Sequence, residues 1–357
     1  MLFNVEFDDA RRIGAWLVPD RPDVVPRIRV FVGEGQAASI IVSANQIRED
    51  VKAAGIHDTG ICGFLIDDSV VPNIETARGL SIRDFDTGLL LYSRGGGKQF
   101  ISGRHFRLET RLLPRNRVDG ALQPYFHMNY PGIEQLPAQT ARSVLAIPYT
   151  LSLNASGRVP MHTIDDVLRQ RGFKTSVLIG DPFREIFARI LLIQKGDDAA
   201  RIKDLAPHNV LERIHAALRQ VQGRDLAAVD DALKQLDPEA MNYLSDPLTR
   251  QLVEASPGQA LPRVAAQEAA LRLADFDVIG LDTDPGEYFE LVGAVFSSAI
   301  KLNAAVGKGP EPALSEQLRA LPSFRRLARF DGPLYDMLVE TQAALPEAEE
   351  ASDAPPP

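Results

Sequence analysis

The stretch from Ser156 to Ala188 constrains the fold more than any other part of the chain. It opens on a polar turn (Ser156, Gly157, Arg158, Pro160) and continues with apolar residues at Ile164, Val167 and Leu168. That spacing predicts a short helix, with Gly172 as its C-cap. Lys174 to Ile179 follow as a β-rich run that stops at Gly180-Asp181-Pro182. A second helical pattern starts at once, with Phe183, Ile186, Phe187, Ile190 and Leu191 on one face. Asp181 suits its N-cap and Pro182 its first turn. A buried strand that turns sharply into a helix is half of a βα unit. It aims unpaired backbone N–H groups at whatever lies beyond the strand end, where α/β sheets bind anionic ligands. The mouth of this strand is therefore a candidate site.

Bulk properties narrow the class. A chain of 357 residues suggests two domains, or one large domain with an appendage. A hydrophobic content of 45% is enough for full cores, and a net charge of −9 argues against a whole-surface binder of nucleic acid or anionic membrane. No apolar run reaches the ~18–20 residues of a membrane span. The start, Met-Leu-Phe-Asn-Val-Glu-Phe-Asp-Asp-Ala, lacks the basic and apolar regions of a secretory signal. The single cysteine, Cys62, has no partner for an internal disulfide, and no Cys/His spacing suits zinc. A cytoplasmic protein without a metal is the expectation.

The central stretch also carries a resemblance. Ser156-Gly157-x-x-Pro160, then a helix, Gly172-Phe173 and Val177-Leu178-x-x-Asp181-Pro182, resembles the carbohydrate sulfotransferases, P-loop-like enzymes that use 3′-phosphoadenosine 5′-phosphosulfate. Ser245-Asp246-Pro247-Leu248-Thr249-Arg250-Gln251-Leu252 resembles the family's Asp-Asn-x-x-Thr-Arg-x-Leu, with Pro247 in place of Asn. Phe276 to Thr283 is similar to its late strand, and Phe330-Asp331-Gly332-Pro333-Leu334-Tyr335 to its closing phrase. These phrases stand in family order across roughly residues 100–345. The resemblance implies an α/β domain at 100–345, a sulfotransferase-like parallel sheet with helices on both faces, interrupted by a helical insertion at about 199–273. It also implies the phosphosulfate nucleotide as donor co-substrate, with no further cofactor required. Its candidate anion site comprises Arg115, Arg158, Asp181, Arg184, Thr249 and Arg250.

Several chemical words of the family are changed. Arg158 occupies its His position, Gly180 its Arg position before Asp-Pro, and Ala188 falls near its Ser position. Glycine has no side chain for a phosphate, and an arginine with a pKa above ~12 is no base at neutral pH. Two expectations stay open: a diverged transferase acting on a glycan hydroxyl, and a non-catalytic relative that binds a glycan or a partner enzyme.

Residues 1–94 read as an all-β module of short alternating runs separated by Gly, Pro, Asn and Asp, with one helical signal between Ala44 and Ala54. Arg83 to Leu89 reads as a hairpin with its turn at Asp86 to Gly88. Gly14-Ala15-Trp16, Arg48 to Ile56 and Gly63-Phe64 resemble a small β-sandwich attached to bacterial glycosyltransferases, which implies a surface-polysaccharide pathway. Residues 95–99 form a glycine-rich linker; Gln99 stands where a phosphate loop needs Ser or Thr. Residues 98–120 are the most basic stretch, read either as a solvated strand edge and loop or as an anion contact. His127 and Tyr130, in an aromatic run closed by Pro131-Gly132, are read either as lining a sugar site or as packing groups. Ser143 to Ile147 is expected as a short strand, and residues 346–357 as a disordered tail.

Overall fold

The structure, a computed structural model, describes residues 1–33, 38–77, 79–95, 99–112, 116–196, 206–221, 225–300 and 312–352. Alternation in the N-terminal part produces two four-stranded antiparallel sheets. One takes Leu2–Asp8, Ile13–Val18, Ile61–Ile66 and Gln46–Ile47 in spatial order; the other takes Ala38–Ser43, Arg27–Val32, Ser81–Asp84 and Leu90–Ser93. Within Arg27–Val32, Ile28 and Val30 are buried while Arg27 is exposed, the period-two pattern of a sheet with one dry face. The predicted hairpin forms: Ile82 pairs with Tyr92, and Asp84 Oδ2 accepts from the Thr87 N–H at 2.8 Å inside the turn. The helical signal becomes Glu49–Ala53.

Met128–Tyr130, Ser152–Gly157, Gly103–Leu108, Phe173–Ile179 and Val278–Leu281 make a five-stranded parallel sheet in that order, flanked by helices. The last four residues of Phe173–Ile179 are all buried, as expected of a strand covered on both faces. The helix after it spans Pro182–Lys195 and ends at Gly196 with φ of 66°. The α/β class read from the βα unit is thus present, together with separate antiparallel sheets at the N-terminus.

The chain divides into two compact units. One comprises Met1–Phe106, Leu122–Gly157 and Asp166–Lys174; the other comprises Arg107–Ala121, Arg158–Asp165 and Thr175–Pro357. In the first, the Tyr130 hydroxyl donates to the Leu90 carbonyl at 2.8 Å and the Tyr149 hydroxyl to that of Leu91. The core of the second gathers Phe183, Ile186 and Ile190 with Val210, Ile214, Leu233, Leu244 and Phe324. These come from Pro182–Lys195, His208–Leu218, Leu226–Leu233, Pro238–Leu244 and Pro322–Leu327, each presenting one apolar stripe.

Three expectations change. Ser143 to Ile147 is not a strand; it ends the helix Ala138–Ala146, whose buried Thr140, Ala141, Val144 and Leu145 follow a helical period. The strand within the basic stretch is not a sheet edge. Gly103–Leu108 is the middle strand of its sheet, and Arg107 is only 1% exposed. Helix Asp331–Ser352 runs past Pro346, because the Ala- and Glu-rich tail favours helix; residues 353–357 lie outside the described residues, as do 96–98 of the glycine linker.

Candidate functional site

Within the second unit, three strand ends converge. Gly103–Leu108 runs into Glu109-Thr110-Arg111-Leu112, Phe173–Ile179 into Gly180-Asp181, and Val278–Leu281 into Asp282. Thr110 Oγ1 donates to the Leu178 carbonyl at 3.0 Å, and the Asp282 N–H to that of Ile179 at 2.9 Å. Arg111 Nη1 pairs with Asp282 Oδ2 at 3.2 Å. A Cβ at Gly180 would stand 3.0 Å from Asp282 Oδ2 and 3.2 Å from Arg111 Cδ. The glycine that interrupts the Asp-Pro phrase is therefore the residue that lets this ion pair cross the strand end.

The loop after Gly103–Leu108 is fixed by buried charges. Arg107 donates to Glu109 Oε2 at 3.0 Å and to Asp119 Oδ1 at 2.8 Å. Burial opposes its charge, but these carboxylates outweigh that and hold its pKa above the ordinary value. The other oxygen of Glu109 accepts the Arg111 N–H at 3.0 Å, and Gln251 Nε2 donates to the Glu109 carbonyl at 3.0 Å. The Leu112 N–H donates to Glu185 Oε2 at 3.0 Å. Two amides at a strand end, where an anion would dock, are thus each closed by a carboxylate of the chain.

The helix N-termini are closed in the same way. Asp181 Oδ1 accepts from the N–H groups of Phe183 at 2.9 Å and Arg184 at 3.3 Å. Its other oxygen takes the Ser315 hydroxyl, with Arg319 Nη2 at 3.4 Å. Pro247–Leu252 and Asp331–Ser352 cap each other. Asp331 accepts the N–H groups of Leu248 and Thr249, both at 2.8 Å, and Asp246 accepts those of Phe330 and Asp331 at 2.7 and 3.1 Å. Burial, followed by the neighbouring Asp331 charge, pushes Asp246 up to about 7; burial also raises Asp331.

Beside these groups lies a small cleft of about 10 Å³, room for about one water molecule, walled by Thr110, Gly180, Glu185, Leu248, Asp331 and Tyr335 among others. Burial pushes the Glu185 carboxyl up to about 7, against smaller opposing effects of the Leu112 N–H, Arg189 and Arg111. The Tyr335 phenol rises to about 12 through burial and the charges of Asp282 and Asp181. A carboxyl that titrates near neutrality in a cleft can accept or donate a proton, or hydrogen-bond a ligand in either state. Two buried acceptors nearby have no partner: Asp282 Oδ1, and Oε1 of Gln251.

The residues read from the sequence are distributed differently. Asp181 is a cap. Thr249 is buried with its N–H on Asp331. Arg250 braces a loop, donating to the Ser245 carbonyl at 2.9 Å, its hydroxyl at 3.2 Å and the Gln259 carbonyl at 2.9 Å. Arg184 acts electrostatically on Asp282, and Arg158 is half-buried; among the described residues that line the cleft there is no arginine or lysine. Arg115 lies outside the described residues. His127 and Tyr130 belong to the first unit. His127 stacks on Phe100 at 5.0 Å, with burial lowering its pKa, and Tyr130 is buried on the Leu90 carbonyl.

Glu109, Arg111, Glu185, Asp282 and Tyr335 were missed. Glu185 sits one helical turn beyond Asp181, and Tyr335 ends a phrase already singled out, so position relative to those words was the available signal. Among the described residues no group of three His, Cys, Asp or Glu side chains could hold a metal, and no helix is long and apolar enough to cross a membrane. No protein-family model, curated protein or solved structure matches the chain.

Proposed function

We propose that the chain is a diverged sulfotransferase-like protein that binds a glycan over the mouth of this cleft instead of transferring a sulfuryl group. In this reading it serves a bacterial surface-polysaccharide pathway in the cytoplasm, alone or with partner enzymes, and the N-terminal sheets form the β-sandwich module found with glycosyltransferases. One observation carries the choice of binding over transfer. The Arg111 and Leu112 amides, placed where a phosphosulfate would need donors, already serve Glu109 and Glu185. A second anion there would meet carboxylates instead of N–H groups, and like charges at close range in a poorly solvated site repel strongly. The acceptors left at the cleft, Thr110 Oγ1 and the second oxygen of Glu185, suit a sugar hydroxyl reaching in from the mouth, which donates a hydrogen bond.

Calorimetry tests this reading. Titration of the full chain with 3′-phosphoadenosine 5′-phosphosulfate and with adenosine 3′,5′-bisphosphate is expected to show no binding at millimolar nucleotide, while surface-polysaccharide oligosaccharides bind. Micromolar nucleotide binding that disappears in Arg250→Ala would restore the transferase reading.

A further inference from the structure

We propose that the strand Ala38–Ser43 is a dimerisation edge. It pairs with the same strand of a second copy, antiparallel about a two-fold axis at Ile41, and joins two four-stranded sheets into one. An unpaired sheet edge is a template for another strand, and chains that stay apart protect their edges with bulges, charges or short strands. The other edges of the two N-terminal sheets are protected in those ways. Leu2–Asp8 breaks register at Glu6, a charged residue between Val5 and Phe7. Gln46–Ile47 is two residues long. Leu90–Ser93 also breaks register, and its Leu90 and Leu91 carbonyls take the hydroxyls of Tyr130 and Tyr149. Ala38–Ser43 has none of these devices. It pairs with Arg27–Val32 over six residues in unbroken register, and among the described residues no hydrogen bond reaches its outer side.

Charge and sequence select a second copy as the occupant. A net charge of −9 makes most of the surface repel a copy, yet Gly35 to Ile47 holds no Asp, Glu, Lys, Arg or His. Ser39-Ile40-Ile41-Val42-Ser43 also reads nearly the same in both directions. Antiparallel pairing about Ile41 sets Ser39 of one copy opposite Ser43 of the other, Ile40 opposite Val42, and Ile41 opposite itself. Cross-strand pairs of β-branched residues and of serines are favourable. Ile41, 55% exposed in the single chain, is then covered by its own counterpart. A charged peptide finds no such match on this edge. The nearest guanidiniums, Arg27 and Arg29, turn onto the Phe85 ring at 4.0 and 5.0 Å, beside the strand on the far side of Arg27–Val32. In the joined sheet the two Arg29 backbones stand three strand spacings apart, about 14 Å, beyond the ~8 Å Debye length. A six-residue edge covers less than the ~1,200 Å² of a stable interface, so the dimer dissociates at a concentration on the order of 100 μM.

Sedimentation velocity of the full chain from roughly 5 to 500 μM is expected to show monomer passing to dimer. Ile41→Lys, which sets two ammonium groups face to face at the axis, should weaken the dimer about tenfold or more. Leu271→Lys, at a position 71% exposed in the second unit, should dimerise like the wild type. Cysteine pairs then read the register, since the native Cys62 is fully buried. Ile41→Cys should form an intermolecular disulfide under mild oxidation. Ser39→Cys alone should not, while a mixture of Ser39→Cys and Ser43→Cys should cross-link. A chain that stays monomeric throughout overturns the proposal, as does a dimer untouched by Ile41→Lys. So does a chain that dimerises but in which Ile41→Cys fails to cross-link, or links no better than Ser39→Cys.

Discussion

Glu185 is the residue at which burial and chemistry meet most directly. Its ordinary value is 4.5, and in the fold burial moves it to about 7. Between those values the unfolded chain releases the proton while the folded chain keeps it. Stability therefore falls as pH rises across that window and levels off above it. The whole shift corresponds to something on the order of 3 kcal/mol. Urea melts from pH 4.5 to pH 8 should show this decline, and Glu185→Gln should flatten it. An unchanged slope in the variant would assign the effect to other groups, Asp246 first among them. Gly180 is the second residue-scale constraint. Its φ is unremarkable, so the reason for glycine is space alone. Gly180→Ala would drive a methyl group against the Arg111–Asp282 pair and is expected to cost about 1–3 kcal/mol, read as a lower urea midpoint. Wild-type stability in that variant would mean the pair moves aside freely.

At the scale of elements, the reciprocal caps join two helices far apart in sequence. Asp246 has φ of 48°, a left-handed conformation that Asp tolerates better than most residues. It is held there because its carboxylate serves the start of Asp331–Ser352 while Asp331 serves Pro247–Leu252. Asp331→Ala removes both acceptors of Leu248 and Thr249 inside a dry site. A loss of about 2–4 kcal/mol is expected, with faster hydrogen exchange at those two amides. Asp246→Asn keeps an acceptor oxygen and removes one of two buried neighbouring charges. It should therefore be near neutral in stability above pH 7, by the same urea melts, where Asp331→Ala is not. The two variants together separate capping from charge repulsion.

On the scale of the whole molecule, Arg107 links the middle strand of the parallel sheet to the loop that shapes the cleft. Arg107→Met would leave Glu109 and Asp119 without their cation and should cost about 3–5 kcal/mol, measured by denaturant unfolding. Much in this architecture was legible beforehand. The alternation of the first 94 residues, the Asp181-Pro182 helix start and the strand before Gly180 are local patterns. They depend on side-chain period, caps and turn chemistry within a few residues, so they survive without knowledge of the rest. The helix at Ala138–Ala146 was misread because Ser143 to Ile147 is too short a window to separate period two from 3.6. The cleft was legible only as a location. Sequence picked arginines as its agents, because a positive charge in a family-like phrase looks like an anion ligand wherever it points. Long-range contacts decided otherwise. Arg250 turned to backbone carbonyls, and carboxylates 73 and 83 residues from their amides closed Leu112 and Leu248. Local order is fixed by neighbours along the chain; the sign and occupancy of a site are fixed by which distant groups share its low-dielectric space, and only the folded chain sets that.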